Sequence, residues 1–299
     1  MTEAQVSRKE PSKGTMPEGA ANEVDASRKV REMFTQIAPR YDLLNHILSL
    51  EMDRMWRART AKILQPILER EDARVLDLCC GTGDLAFALQ RKAKGRVWGT
   101  DFAHTMLVRA KEKARGEMAS DKWPRAVRGN RVASEKPATI FNTGFASTNP
   151  ETQKPKGAAP EDPISFVESD ALRLPFADGA FDLVTAAFGF RNLANYEAGL
   201  VEIRRVLKMG GTIAILEFTE PEPGLFGDLY RWYFRAVLPR LGGMISGDKA
   251  AYTYLPKSVA RFFQPEELKE LMGKSGFAGV EARVWTGGTV ALHTGLRQR

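Results

Sequence analysis

Apolar and polar positions follow two different rhythms along this chain, and the changes between them mark its elements. Residues 74–80, RVLDLCC, form a short apolar, β-favouring run that breaks at Gly81-Thr82-Gly83, and the following DLAFALQRKAK carries apolar residues at helical spacing. The pattern predicts a strand, a glycine turn and a helix. Further short apolar runs end at Asp101 (RVWGTD), at Asp170 (SFVESD), near Phe188 (FDLVTAAF) and at Phe218 (GTIAILEF), with helical patterns between most of them. Strands alternating with helices imply a mostly parallel sheet with helices on both faces, because a parallel crossover needs a long connection that must bury its own apolar stripe. After Glu266, EELKELMGKSG reads as a helix with Gly276 as its C-cap. The runs VEARVW and TVALH, joined through Thr286-Gly287-Gly288, then read as an antiparallel hairpin closing the sheet edge.

Two stretches carry neither rhythm. Residues 1–27 are polar and predict a disordered tail. Residues 117–163 are dense in Pro, Gly, Ser, Thr and Lys; a structureless connection of that length does not fit inside a compact core, so a surface insertion is expected. Residues 28–299 would then be one domain interrupted once. No stretch offers about 20 unbroken apolar residues, and the first residues lack the apolar core of a signal peptide, so a cytoplasmic location is expected. Cys79 and Cys80 are adjacent, which gives neither a disulfide framework nor metal-ligand spacing, and no metal site is expected. Lys and Arg number 44 against 37 Asp and Glu, a net charge of +7. That excess favours an anionic partner, nucleic acid or a lipid surface, without choosing between them.

The candidate chemistry falls at strand ends, where an open α/β sheet binds ligands. Gly81-Thr82-Gly83-Asp84-Leu85-Ala86 fits the G-x-G-x-x-A turn of nucleotide-type cofactors. Asp77, four residues before Gly81, would repel a pyrophosphate but suits the ammonium and sulfonium charges of S-adenosylmethionine, which disfavours a nicotinamide cofactor. Asp101 ends the second strand, where a carboxylate accepts from ribose hydroxyls; its alternative is to cap the next helix. Asp170-Ala171 would offer an acceptor and a backbone N–H beside the adenine, or simply start a turn.

Together VLDLCCGTGD, GTDFAHTML and SDALRLPF resemble the class I S-adenosylmethionine-dependent methyltransferases, which implies a Rossmann-like, seven-stranded fold. Tyr41-Asp42-Leu43-Leu44-Asn45 through Leu48-Ser49 to Trp56 is similar to the ubiquinone/menaquinone biosynthesis C-methyltransferase family (UbiE/MenG), as are FGFRN at 188–192, RVLKMGGTIAILEFT at 205–219 and ISGDKAAYTYLPKSVARF at 245–262. The chain departs from that family's usual residues with Leu44 for Met, Asp53 for His, Met209 for Pro and Thr219 for Ser, and with Ala187 where a Ser often serves the cofactor. The resemblance carries cofactor contacts onto Thr82, Asp101, Asp170, Ala171 and Ala187.

It also implies ring methylation of a polyprenyl quinol, either demethylmenaquinol or a 2-methoxy-6-polyprenyl-1,4-benzoquinol. Such chemistry needs a proton acceptor, donors for a ring oxyanion and a dry pocket. Arg191 and Asn192, past the fourth strand, are expected to bind and polarise the quinol oxygens. Tyr41 and Asp42 are expected to cover the pocket, with Asp42 the candidate base. The alternatives are a surface Arg, a packed Tyr and an Asp cap. His46 and His293 read as structural. Residues 224–240 carry large apolar side chains interleaved with three arginines, which suits either a prenyl tail on an anionic membrane surface or burial against the sheet or a second copy in a homodimer. A nucleic-acid methyltransferase would need an Asn/Asp-Pro-Pro-aromatic run or a nucleophilic Cys where this chain has AAFGFRN, so nucleic acid is not an expected partner. A non-catalytic binder of the cofactor is the remaining rival.

Overall fold

The computed structural model describes residues 14–42, 45, 49, 51–119, 164–221, 224, 227–228 and 249–298. Residues 1–13 of the expected tail, residues 120–163 of the expected insertion, most of the aromatic-arginine stretch 224–240, and His46 lie outside the described residues.

A seven-stranded sheet organises the chain, in the order β3-β2-β1-β4-β5-β7-β6. Its strands are β1 (Arg74–Leu78), β2 (Arg96–Asp101), β3 (Ile164–Glu168), β4 (Phe181–Ala187), β5 (Leu207–Phe218), β6 (Phe277–Trp285) and β7 (Val290–Arg297). The first five pair in parallel, while β7 runs antiparallel to both β5 and β6, the terminal hairpin expected from its glycine link. The order reverses between β1 and β4, so the connections leaving their carboxyl ends diverge and open a crevice there.

Both faces are covered, as the unbroken apolar runs require. Val75, Leu183, Ala214 and Leu216 face one core layer, and their neighbours Leu76, Val184, Ile213 and Ile215 face the other, the two-residue period of a strand. Helices α2 (Met52–Ile63) and α3 (Asp84–Gln90) supply Trp56, Phe87 and Leu89 to the first layer. Two more that flank the sheet are α4 (His104–Ala119) and α5 (Tyr196–Val206). Of these, α5 gives Leu200 and Ile203 to the second layer. Near the end, α6 (Lys249–Arg261) precedes α7 (Pro265–Lys274), and α7 adds Leu268 and Met272 to the second layer. His293 is buried in β7 with Nε2 2.8 Å from the Pro265 carbonyl.

The expected tail requires a correction. Helix α1 spans Glu23–Ile37, capped by Asn22, whose side chain accepts from the Asp25 N–H at 2.9 Å. Before it, the Thr15 N–H donates to the Leu193 carbonyl at 2.7 Å, and Thr15 is buried. The order comes from a cap and from tertiary contacts rather than from an apolar period: only Ala26 and Val30 of α1 are fully buried.

Candidate active site

The crevice at the carboxyl ends of β1, β2 and β4 holds about 650 Å³ of space, its mouth included. Its floor is backbone. β1 is followed by Cys79, whose φ of 52° is left-handed, and Gly81 and Gly83 come next at φ 56° and 89°. These turns let the chain double back under the cavity, and Gly83 passes the chain to α3. At the end of the neighbouring strand β4, Phe188 also has a left-handed φ, 59°. A Cβ on its neighbour Gly189 would stand 2.4 Å from Cys79 Cβ, so the two strand ends approach as closely as backbone permits. Non-glycine residues in this region store strain, and here they do so at two adjacent strand ends that line one cavity.

Asp101 ends β2 against the floor. Its Oδ2 accepts from the Gly81 N–H and its Oδ1 from the Ala103 N–H, both at 2.9 Å, so it joins the glycine turn to the start of α4. Burial raises its pKa to about 6 despite these bonds. Phe102 lies beside it, and Asp170, Ala171 and Leu172 complete this wall. Asp170 Oδ1 also accepts from the Leu172 N–H at 2.9 Å, the turn role foreseen as its alternative. The lid comes from α1 and the residues after it: Ser27, Phe34 and Tyr41 face the cavity, with Phe34 edge-on to both Tyr41 and Phe102.

Several expected residues stand behind the cavity wall rather than on it. Asp77 is buried, its Oδ1 accepting from Thr185 Oγ1 at 2.8 Å while Oδ2 has no hydrogen-bond partner; burial pushes its pKa to about 7. Thr82 is buried and donates to Asp42 Oδ1 at 2.5 Å. Lys113 Nζ, on α4, gathers Asp84 Oδ1 at 2.5 Å, Asp42 Oδ2 at 3.0 Å and Thr82 Oγ1 at 3.2 Å. Both oxygens of Asp42 are therefore engaged, which argues against the general-base role expected of it. Gly83 and Ala187 are not on the lining, and Ala187 packs against the core layer of Trp56 and Phe188.

The 3-10 turn Phe190–Asn192 separates two expected partners. Asn192 reaches the cavity. Arg191 turns inward: Nη1 lies 2.8 Å from Glu217 Oε2 and donates to the Phe188 carbonyl, its N–H donates to Glu217 Oε1 at 3.1 Å, and its carbonyl accepts from Tyr196 Oη at 2.9 Å. Glu217 is fully buried, so the pair is an internal ion pair that pins the turn. Burial works against the Arg191 charge, but Glu217 outweighs it and raises its pKa. The guanidinium expected to polarise the quinol is thus bonded to Glu217, and Arg191 is not on the cavity lining. Glu217 escaped the sequence reading, although an acid inside the apolar run IAILEF signals a buried charge awaiting a cation.

The cavity fits S-adenosylmethionine on its own features. It has an unpartnered Asp77 oxygen behind the glycine floor, carboxyl groups at Asp101 and Asp170 on its wall, and an aromatic ring at Phe102. The sequence profile described as the ubiE/COQ5 methyltransferase family matches residues 22–143 and 140–297. A demethylmenaquinone methyltransferase of Thermus thermophilus is 44% identical over 266 residues, covering 89% of this chain and 100% of its own length. Proteins of the same name from Deinococcus radiodurans (42% over 254 residues, 85% and 86% covered) and Staphylococcus aureus (33% over 273 residues, 91% and 94% covered) are also similar. Among solved structures, an S-adenosylmethionine-dependent methyltransferase of Thermotoga maritima matches with a TM-score of 0.54 at 17% identity, over 90% of this chain and 100% of its own. A methyltransferase in complex with the Haloferax volcanii Trm112 activator matches at 0.52 and 17%, over 89% and 98%. These two show the Rossmann-like methyltransferase fold. With its family profile matched from residue 22 to 297 and relatives aligned over nearly their whole lengths, the chain belongs to the ubiE/COQ5 methyltransferase family, as an S-adenosylmethionine-dependent C-methyltransferase acting on quinones.

Proposed function

We propose that this chain methylates a ring carbon of demethylmenaquinol to give menaquinol. The observation that carries the choice is the shared name of the three relatives, each aligned over more than four-fifths of both chains. S-adenosylmethionine supplies an electrophilic methyl group, leaving as S-adenosylhomocysteine. In this reading Asp101, Asp170, Ala171 and Phe102 hold its nucleoside part. Asp77 favours its positive charge from behind the glycine floor.

The acceptor side is built from the opposite wall. A hydroquinone carbon becomes nucleophilic when a neighbouring ring hydroxyl loses its proton, and transfer is completed when that carbon loses its own hydrogen and the ring regains aromaticity. Asn192 offers amide N–H groups to the ring oxygen that carries the charge. Tyr41, whose phenol burial holds above its ordinary pKa, stays protonated at neutral pH and donates rather than accepts. Phe34, Tyr41 and Phe188 exclude water. Holding the acceptor in line is worth up to about 7–11 kcal/mol in an ordered pair, so positioning dominates acid–base help.

Among the described residues no helix is long and apolar enough to cross a membrane. We place the enzyme as a peripheral protein at the cytoplasmic membrane face, where its polyprenyl substrate resides. The net charge of +7 and the three arginines of 224–240 support that contact, and the same segment is where a homodimer would pair. The test is transfer of radiolabel from S-adenosylmethionine into lipid extract, with chemically reduced demethylmenaquinone and the demethylated benzoquinol side by side. Label in the naphthoquinol is expected. Label in the benzoquinol alone would move the assignment to that ring, and none in either, with cofactor binding intact, would remove the quinol reading.

A further inference from the structure

The hydrogen bonds that reach Asn192 run outward from the cavity. Its Oδ1 accepts from Tyr254 Oη at 3.0 Å, and Tyr254 Oη lies 2.8 Å from Thr15 Oγ1. A phenol has one proton; given to Asn192, it leaves the Tyr254 oxygen to accept from the Thr15 hydroxyl. The relay therefore has a direction, from Thr15 through Tyr254 on α6 to Asn192 on the cavity wall. Thr15 precedes residue 22, where the family match begins. It is nonetheless firmly seated. Its N–H bonds the Leu193 carbonyl, and Gly14 packs so tightly on the Ala194 backbone that a Cβ would lie 1.7 Å from the Ala194 oxygen. Leu193 and Ala194 line the same cavity as Asn192.

An amide whose oxygen is taken has only its N–H groups left to offer. Asn192 Nδ2 has no protein partner among the described residues, and the residue lines the cavity. We propose that Thr15 and Tyr254 are positioning residues that fix the orientation of the Asn192 amide, so that it presents donors to the methyl acceptor. Such a wall favours a ring oxygen that accepts, the deprotonated hydroxyl that activates the carbon, over one that must donate. Without Tyr254 the amide is free to turn over, and the turned form sets a carbonyl oxygen against the ring oxyanion, where like partial charges repel. The inference rests on the reading of Asn192 as a contact to the acceptor.

The test is a double-variant cycle in the full chain, with S-adenosylmethionine and chemically reduced demethylmenaquinone as substrates. Tyr254→Phe is expected to lower kcat/KM for the quinol about tenfold, and Thr15→Val about threefold, the scale of one misdirected hydrogen bond. The dissociation constant for S-adenosylmethionine, read by calorimetry, should stay within about twofold, since neither residue touches that half of the cavity. Asn192→Ala should lose at least as much as Tyr254→Phe, and adding Tyr254→Phe to it should change nothing further. Additive losses in the double variant, or full activity in Tyr254→Phe, would overturn the relay while leaving Asn192 in place. An Asn192→Ala enzyme with unchanged quinol kinetics would instead remove the contact on which the relay depends.

Discussion

Replacing Asp77 by Asn separates the two things this carboxyl does. Buried beneath the glycine floor, with Thr185 its hydrogen-bonded partner and Oδ2 unpartnered, Asp77 has its pKa raised from 3.8 to about 7. That gap corresponds to about 4 kcal/mol disfavouring the ionised form in the folded protein. Between pH 4 and 7 the folded chain therefore holds a proton that the unfolded chain has released, and this residue's contribution to stability falls as pH rises through that window. Asn carries no charge, so Asp77→Asn should escape the fall. Urea unfolding at pH 5 and pH 8, without ligand, should show the variant gaining on the parent by about 2–3 kcal/mol between the two. Asp101, raised to about 6, is common to both proteins and cancels. A cationic ligand reverses the preference: S-adenosylmethionine should bind the parent more tightly as pH rises through 7 and bind Asp77→Asn at least about tenfold more weakly at pH 8. A stability difference that does not change with pH, or an unaltered dissociation constant, would refute the reasoning.

Three further outcomes are expected. Glu217→Ala strands the buried Arg191 guanidinium and should destabilise the protein by about 3–5 kcal/mol in urea unfolding; a loss below about 1 kcal/mol would mean that Arg191 finds another anion. Gly189→Ala pushes a methyl to 2.4 Å from Cys79 Cβ at the adjacent strand end, so a cost of about 1–3 kcal/mol should appear as a lower melting temperature together with weakened cofactor binding. Lys113→Met removes the cation that ties Asp84 to the hydrogen-bonded Asp42–Thr82 pair; the KM for S-adenosylmethionine should rise about fivefold at low salt, and by less in the parent-to-variant comparison at 1 M salt, because Lys113 is partly exposed.

Much of the frame was legible because the signals are local. The apolar run before Gly81, the alternation of strand and helix, and Asp101 at the end of a strand each sit within a few neighbouring residues, and the structure places all of them as read. What escaped depends on contacts distant in sequence. Glu217 meets Arg191 across 26 positions, and Lys113 meets Asp42 across 71, so the stretch RAKEKARG shows only an ordinary helix surface. Helix α1 was missed for a related reason: small Ala26 and Val30 make its buried stripe, and its cap at Asn22 lies in a segment that is polar throughout. Arg191 and Asn192 illustrate the limit most sharply. Adjacent in sequence, they point to opposite sides of the same turn, and only the packed partner decides which faces the ligand.

The place where residues 120–163 attach has a consequence for how the chain tolerates change. Helix α4 starts beside the cavity at Asp101 and runs back along the sheet for 16 residues, about 24 Å, roughly the height of the strands. It ends at Ala119, and the described chain resumes at Ile164, the first residue of a strand parallel to β2. Both attachment points thus lie at the amino ends of the strands, the far rim from the cavity. The two attachment points are thus separated from the cavity by the full depth of the sheet. That rim is the place to graft an affinity handle or a fused reporter away from the cavity.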